Sequence, residues 1–337
     1  MNILNSQSLL KYNTFKVDKK SEFFVDIHNE KELIKVLENR NFSSMNKFIL
    51  GGGSNILLTK NIDGIVLHNQ LKGITIKDEK EDKLLIEVGA GEVWDNLVQW
   101  STDNQLYGIE NLSLIPGYVG AAPIQNIGAY GVEIKDVFHQ LTAFNLHTTK
   151  KTNFNKSSCQ FGYRNSIFKN QLKNQYIITK IEMYLSKKPQ INTSYYAFKE
   201  KIKTFNEKNL SSQNIRDIVI DIRTSKLPNP KNIGNAGSFF KNPLVSKNTL
   251  KKLQKSYKDI PVFKNNTEIK IPAAWFIEKG GWKGYREKNC GVYKKHALII
   301  VNHGNANGED IQALAKKIQK DIFNKFAVRL ENEVTIL

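Results

Sequence analysis

The sequence predicts an α+β fold, rich in strands through its first half and mixed in its second. Three observations predict it. Short β-branched runs alternate with glycine turns in the front half, apolar residues recur at helical spacing in only a few windows, and a polar break near 186–212 separates the halves.

The strands expected in order are FFVDI at 23–27, KFIL at 47–50, GIVLH at 64–68, GITIK at 73–77 and LLIEVGAG at 84–91, then 138–146 and 176–185. Between them, 30–40 places Leu33, Ile34 and Leu37 on one helical face, and 92–105 does the same with Val93, Trp94, Leu97 and Trp100. Past the break, Ser211 or Ser212 is a candidate cap for a helix bearing Ile215, Ile218, Val219 and Ile222. The clearest amphipathic helix is 309–326, where Ile311, Leu314, Ile318 and Ile322 face one way.

Composition narrows the function classes. At 337 residues the chain is long enough for two or three domains, and 40% apolar content is globular rather than disordered. Cys159 and Cys290 form neither a disulfide framework nor a Cys-x-x-Cys pair, and the histidines match no metal spacing, so no metal is expected. The N-terminal stretch has no apolar signal-peptide core, and no window approaches a membrane span. A soluble cytoplasmic protein is expected, without a membrane partner. The net charge of +18 would suit nucleic acid, but it comes from 44 lysines scattered along the chain and only six arginines. That scatter argues for codon bias over a binding face; an anionic substrate would benefit from the same field.

Two glycine-rich segments stand out. In ILGGGSNILLT, residues 49–59, three glycines follow a strand, and such a run lets backbone N–H groups converge on an anion. A Rossmann turn would lead into a helix, whereas here Asp63-Gly64 and another strand follow. Phosphate contact is favoured over a plain strand–strand turn. IPGYVGAAPIQNIGAYGVEI, residues 115–134, is long and nearly uncharged, which fits a loop shielded by a flat apolar ligand with hydrogen-bonding edges. The other reading is a helix starting after Pro116. Ser238, in GNAGSFFKNP, lies in no Gly-x-Ser-x-Gly elbow, so a hydrolase nucleophile is disfavoured and proton donation or a turn role remains.

Six segments in order carry a resemblance: GGGSN, IPG…PIQNIGAYG, FGYRNSIFK at 161–169, SKLPNP at 225–230, GNAGSFFKNP at 234–243 and ENEV at 331–334. Together they resemble the UDP-N-acetylenolpyruvoylglucosamine reductases, in the longer subtype with a tyrosine-bearing substrate loop. The resemblance implies the FAD-binding fold of the vanillyl-alcohol-oxidase class in the N-terminal half and a mixed α/β substrate domain behind it. Its implied organisation is a first FAD-binding subdomain over 1–70, completed by 327–337, a second over 71–210, and a substrate domain over 211–326. It further implies non-covalent FAD, NADPH as co-substrate and a monomer.

The implied reaction reduces an enol ether beside a carboxylate, which needs hydride at one carbon and a proton at its neighbour. No side chain donates hydride, so a flavin must supply it. By resemblance Ser238 protonates the carbanion, Arg164 binds the enolpyruvyl carboxylate and Glu333 helps stabilise the intermediate. Arg164 suits that task because planar, bidentate recognition of a carboxylate is beyond lysine. Glu333 would act as a protonated or bridged acid, with a raised pKa, while Glu331 is read as structural. The cofactor is expected against Gly51, Gly52, Gly53, Ser54 and Asn55, and against Pro116, Gly117, Gly120, Gln125, Asn126, Gly128, Ala129, Tyr130 and Gly131. Substrate contacts are implied for Tyr163, Tyr195 (or Tyr196), Lys226 and Asn242, and for His296, which stands where some relatives have glutamine and which also reads as a core or edge histidine. Thr335 stands in place of a basic residue.

Two other readings compete. A flavin oxidase of the same fold would have no reason to keep Arg164, Ser238 and Glu333 together, and a nucleic-acid-binding protein would cluster its lysines with exposed aromatics.

Overall fold

The computed structural model describes residues 1–193, 198–202, 210–264 and 269–337. Its contacts divide the chain into two units, one of residues 1–7, 20–52 and 62–225, the other of 8–19, 53–61 and 226–337. The division cuts the glycine run between Gly52 and Gly53.

The first unit is built on two sheets. In the smaller, the strands Ile3–Ser8, Lys20–Ile27, Ile62–Asn69 and Lys47–Leu50 lie in that order, and Ile62–Asn69 is parallel to both of the strands beside it. Parallel neighbours need a crossover. Helix Glu30–Leu37 provides it, begun by Asn29, whose side chain accepts the Glu32 N–H. Leu33, Val36 and Leu37 are buried against Val25, Ile27, Ile65 and Leu67. The helix stops short of the expected residue 40 because Asn39 caps a separate turn, Arg40–Ser43.

The larger sheet is antiparallel, in the order Lys151–Asn155, Phe138–Asn145, Tyr176–Ser186, Lys83–Gly89 and Ile74–Glu79. Helix Trp94–Asp103 buries Trp94, Leu97 and Val98 in its core. It starts two residues later than its apolar spacing predicts. Glu92 is held elsewhere, its carboxylate accepting the Gly73 N–H at 2.8 Å and its carbonyl the Val119 N–H at 2.8 Å. Cys159 sits in the same core, where burial pushes its thiol up to about 12, so it is no nucleophile.

Helix Ser212–Lys226 corrects the expected boundary. It lies, through Ser225, with the first unit rather than opening a C-terminal domain. Its Ile215, Ile218, Val219 and Ile222 form a cluster with Phe198, Ile202 and Leu210, and its Arg216 reaches back to helix Trp94–Asp103. There the guanidinium takes both Asp95 oxygens, at 2.7 and 3.1 Å, and Gln99 Oε1 at 2.8 Å. Asp95 also accepts the Leu114 N–H. Arg216→Ala strands that carboxylate, and the expected loss is about 3 kcal/mol, the low end for a buried pair because Asp95 is partly exposed. Urea unfolding of the variant checks it; a wild-type midpoint would make the pair ornamental.

The second unit holds an antiparallel sheet in the order Gly234–Ser238, Ile299–Asn302, Cys290–Val292, Arg286–Glu287. Helix Gly308–Phe326 buries the expected Ile311, Leu314, Ile318 and Ile322, and begins in a capping box between Asn307 and Asp310. Thr335–Ile336, at the chain end, runs parallel to Ile56–Leu57 within this unit. Two helices were not foreseen, Lys247–Ser256, capped by Ser246, and Ala273–Lys279. No helix among the described residues is long and apolar enough to cross a membrane.

Candidate active site

In the first unit the structure brings the two glycine-rich segments together. A Cβ on Gly52 would lie 3.0 Å from Gly117 Cα and 3.3 Å from the Tyr118 ring, so tight that the facing backbone would have to give way to any side chain. The N–H groups of Gly51 and Gly52 donate to none of the described residues. The 115–134 loop holds no long helix; it makes two short 3-10 turns, Val119–Ala121 and Pro123–Gln125, and then a small hairpin in which Gly128–Ala129 pairs antiparallel with Val132–Glu133. Leu114, Gly117, Asn126, Tyr130 and Gly131 all have positive φ. Strained backbone of this kind persists where surrounding bonds hold it, and it gathers at binding sites.

Those bonds reassign one expected ligand. Asn126 is fully buried, its Nδ2 donating to Glu133 Oε2 at 2.9 Å and Gly162 O at 3.0 Å, its Oδ1 accepting the Lys135 N–H. Its side chain therefore builds the loop and is not aimed at a cofactor. Gly120, Gln125, Gly128 and Ala129 line the same loop, with Gly128 carrying the contact to Arg164.

Tyr163 and Arg164 form the tip of a turn closed by reciprocal backbone bonds between Gly162 and Asn165. Asn126 grips Gly162, and buried Ser166 donates to Ile124 O at 2.7 Å, so the turn is fixed to the 115–134 loop from both sides. Arg164, at φ 51°, donates Nη2 to Gly128 O at 2.6 Å, with its guanidinium 5.8 Å from the Tyr163 ring. Tyr163 thus supports the arginine.

A second arginine belongs here, and the sequence reading missed it. Arg223 reaches from helix Ser212–Lys226 to the Tyr130 side chain and feels the charge of Arg164. Burial pulls its pKa down, and Tyr130 and Asp95 push back. Its Nε is enclosed without a hydrogen-bond partner. The signal was available: Arg223 is one of the same six arginines whose rarity singled out Arg164. Asn111, also buried, donates to the carbonyls of Tyr130 and Asn192, both at 2.9 Å. It ties the loop to the chain leading toward Tyr195 and Tyr196, which lie outside the described residues.

In the second unit the structure brings Ser238, Glu333 and Asn55 together. Ser238 ends its strand after a bulge in which Gly237 takes φ 69° with open space where a side chain would stand. Phe239 and Phe240 behind it are buried, their rings 5.1 Å apart. Glu333 N–H then donates to Phe239 O at 2.8 Å, and Lys241 N–H to Glu331 O at 2.9 Å, so the ENEV segment runs beside the serine. Asn55 Nδ2 donates to Glu333 O at 3.3 Å and its carbonyl accepts the Thr335 N–H at 3.0 Å. Gly53 and Ser54 precede it, Gly53 accepting the Thr14 N–H. Glu331 is exposed and pairs with Lys241.

The expected substrate contacts of this unit differ among themselves. Asn242 Oδ1 accepts the Ala273 N–H at 2.9 Å and so starts helix Ala273–Lys279. His296 Nδ1 accepts the Leu298 N–H at 3.3 Å, which leaves the proton on Nε2. Burial, then Lys226 and Lys283, pull its pKa down. Lys283 was not foreseen.

These residues fit a flavin nucleotide: unused glycine amides for a diphosphate, and bare backbone for a flat ring. Residues 21–150 match the family model for the FAD binding domain, and residues 229–337 that for the UDP-N-acetylenolpyruvoylglucosamine reductase, C-terminal domain. The UDP-N-acetylenolpyruvoylglucosamine reductase of Flavobacterium johnsoniae is 45% identical over 100% of both chains, and that of Amoebophilus asiaticus 44% over 100% of both. That of Pseudomonas putida is 40% identical over 97% of this chain and 96% of its own. The crystal structure of the reductase from Thermus caldophilus superposes with TM-score 0.69 at 22% identity, over 99% of this chain and 98% of that one. The fold is the expected FAD-binding one with a mixed α/β module. With full-length identity at this level, the chain belongs to the UDP-N-acetylenolpyruvoylglucosamine reductase family.

Proposed function

We propose that this flavoenzyme reduces the enolpyruvyl ether of UDP-N-acetylglucosamine to UDP-N-acetylmuramate, with NADPH as reductant, in peptidoglycan precursor synthesis. The observation that supports the reading is the backbone bond from Glu333 N–H to Phe239 O, which runs the ENEV segment alongside the strand that ends in Ser238. Bound FAD supplies the hydride. The chain's own residues do the rest.

Arg164, held by Gly128 and Tyr163, binds the substrate carboxylate, onto which the charge of the carbanion spreads. Arg223 adds a second positive charge in the same unit. Ser238 Oγ gives its proton to the carbanion carbon. A serine hydroxyl is a weak acid, so it serves only against a strong base in a dry setting, and the buried phenylalanines supply that dryness. Glu333 stabilises the intermediate as a neutral acid. Lys226, Lys283 and the His296 N–H favour the anionic nucleotide end of the substrate. The reading places the enzyme in the cytoplasm as a monomer, where NADPH and nucleotide sugars are at hand.

Arg164→Lys tests the carboxylate role. It keeps the charge but loses the fork and the bond to Gly128 O, so turnover should fall about 10- to 100-fold. Wild-type steady-state kinetics would remove bidentate recognition from the account.

A further inference from the structure

In the second unit the strand that ends in Ser238 lies against a turn over residues 293–299. Ser238 pairs with Ile299 across the sheet, and the amide that follows it, Phe239 N–H, donates to Leu298 O at 2.9 Å. Phe239 O accepts the Glu333 N–H, so the residue after the serine is fixed from both sides. The turn itself closes through Tyr293 N–H to Ile299 O at 2.8 Å, His296 N–H to Tyr293 O at 3.3 Å and Ile299 N–H to His296 O at 3.2 Å. That leaves the Leu298 N–H, which donates to a side chain instead, His296 Nδ1 at 3.3 Å. Leu298 is buried, and a buried N–H without an acceptor is costly.

We propose that His296 is a positioning residue for Ser238: by holding the Leu298 N–H, its Nδ1 keeps the turn in the shape that presents Leu298 O to Phe239 and so sets the serine in place. The inference rests on the reading of Ser238 as proton donor. The bond spans two residues, as in an Asx turn, with the ring nitrogen where an asparagine would put its oxygen. A neutral imidazole accepts there. The protonated ring carries N–H at both positions and cannot accept. Acid thus strands a buried amide on the residue whose carbonyl fixes Phe239.

Burial, then the charges of Lys226 and Lys283, keep the ring neutral against the opposing pull of Glu278. Lys283 itself pairs with Glu278 at 2.8 Å, and Lys294 and Lys295, beside the histidine in sequence, are exposed. An anionic nucleotide bound beside the ring favours its protonation, so the acid effect is read with substrate saturating.

The test follows the two flavin half-reactions separately by stopped-flow absorbance, between about pH 8 and about pH 5, a range that brackets the ordinary histidine pKa. In wild type, reoxidation by substrate should slow toward the acid end, and reduction by NADPH should not share that fall. His296→Ala should reoxidise about three- to tenfold more slowly than wild type at the alkaline end, the worth of one hydrogen bond, and lose most of the acid fall. His296→Asn, whose Oδ1 takes the Leu298 N–H without titrating, should recover the limiting rate and hold it into acid, while its substrate KM rises for want of the Nε2–H. Wild-type reoxidation in His296→Ala overturns the inference, as does a His296→Asn variant that is no faster than the alanine one or that keeps the full acid fall. Ser238→Ala separates the two readings. If it slows reoxidation while the His296 variants track wild type, only the positioning role fails; if it reoxidises at the wild-type rate, the serine is not the donor and both fall.

Discussion

Ser238→Ala leaves reduction of the flavin by NADPH close to wild type and slows its reoxidation by substrate about 10²–10⁴-fold, the usual worth of a positioned general acid. The asymmetry comes from where the serine stands. Its strand ends at the bulge opened by Gly237, and the next residue pairs with Glu333 through backbone alone, so removing the hydroxyl leaves that pairing intact. Alanine fits the same extended backbone and leaves Phe239 and Phe240 packed. Stopped-flow absorbance of each half-reaction decides it. Equal slowing of both would mean that the substitution deforms the site, and unchanged reoxidation would mean that the proton comes from another group.

Gly52→Val abolishes FAD retention. A Cβ there meets Gly117 Cα at 3.0 Å and the Tyr118 ring at 3.3 Å, and valine adds two methyl groups to that collision. Backbone cannot step aside as a flexible side chain would, so the two glycine segments must part, and with them the amides and bare surface assigned to the cofactor. The purified variant should be colourless yet retain its far-ultraviolet circular dichroism, because Gly52 lies beyond the end of the Lys47–Leu50 strand. A yellow, fully loaded variant would show that this contact is not part of the binding surface.

The sequence made the sheets legible because the early strands were compact apolar runs, several of them set off by glycine, and KFIL at 47–50 fell on its strand residue for residue. It made the motifs legible because they are sites where backbone, not side chain, decides the residue. What it hid was long-range. Nothing local shows that Arg216 of a later helix reaches Asp95, and so the domain boundary was set too early. Nothing in PIQNIGAYG shows that Asn126 is consumed within the loop, since a buried asparagine satisfying three partners reads like one waiting for a ligand. Arg223 was hidden by the absence of a motif around it, although its rarity was visible.

The most direct test of the account is a visible absorption spectrum of the purified protein under anaerobic conditions, recorded with NADPH added first and enolpyruvyl-UDP-N-acetylglucosamine second. The account predicts a bound flavin spectrum that bleaches with NADPH and returns with substrate. A protein that cannot be loaded with FAD, or a flavin that stays reduced when substrate is added, would contradict it.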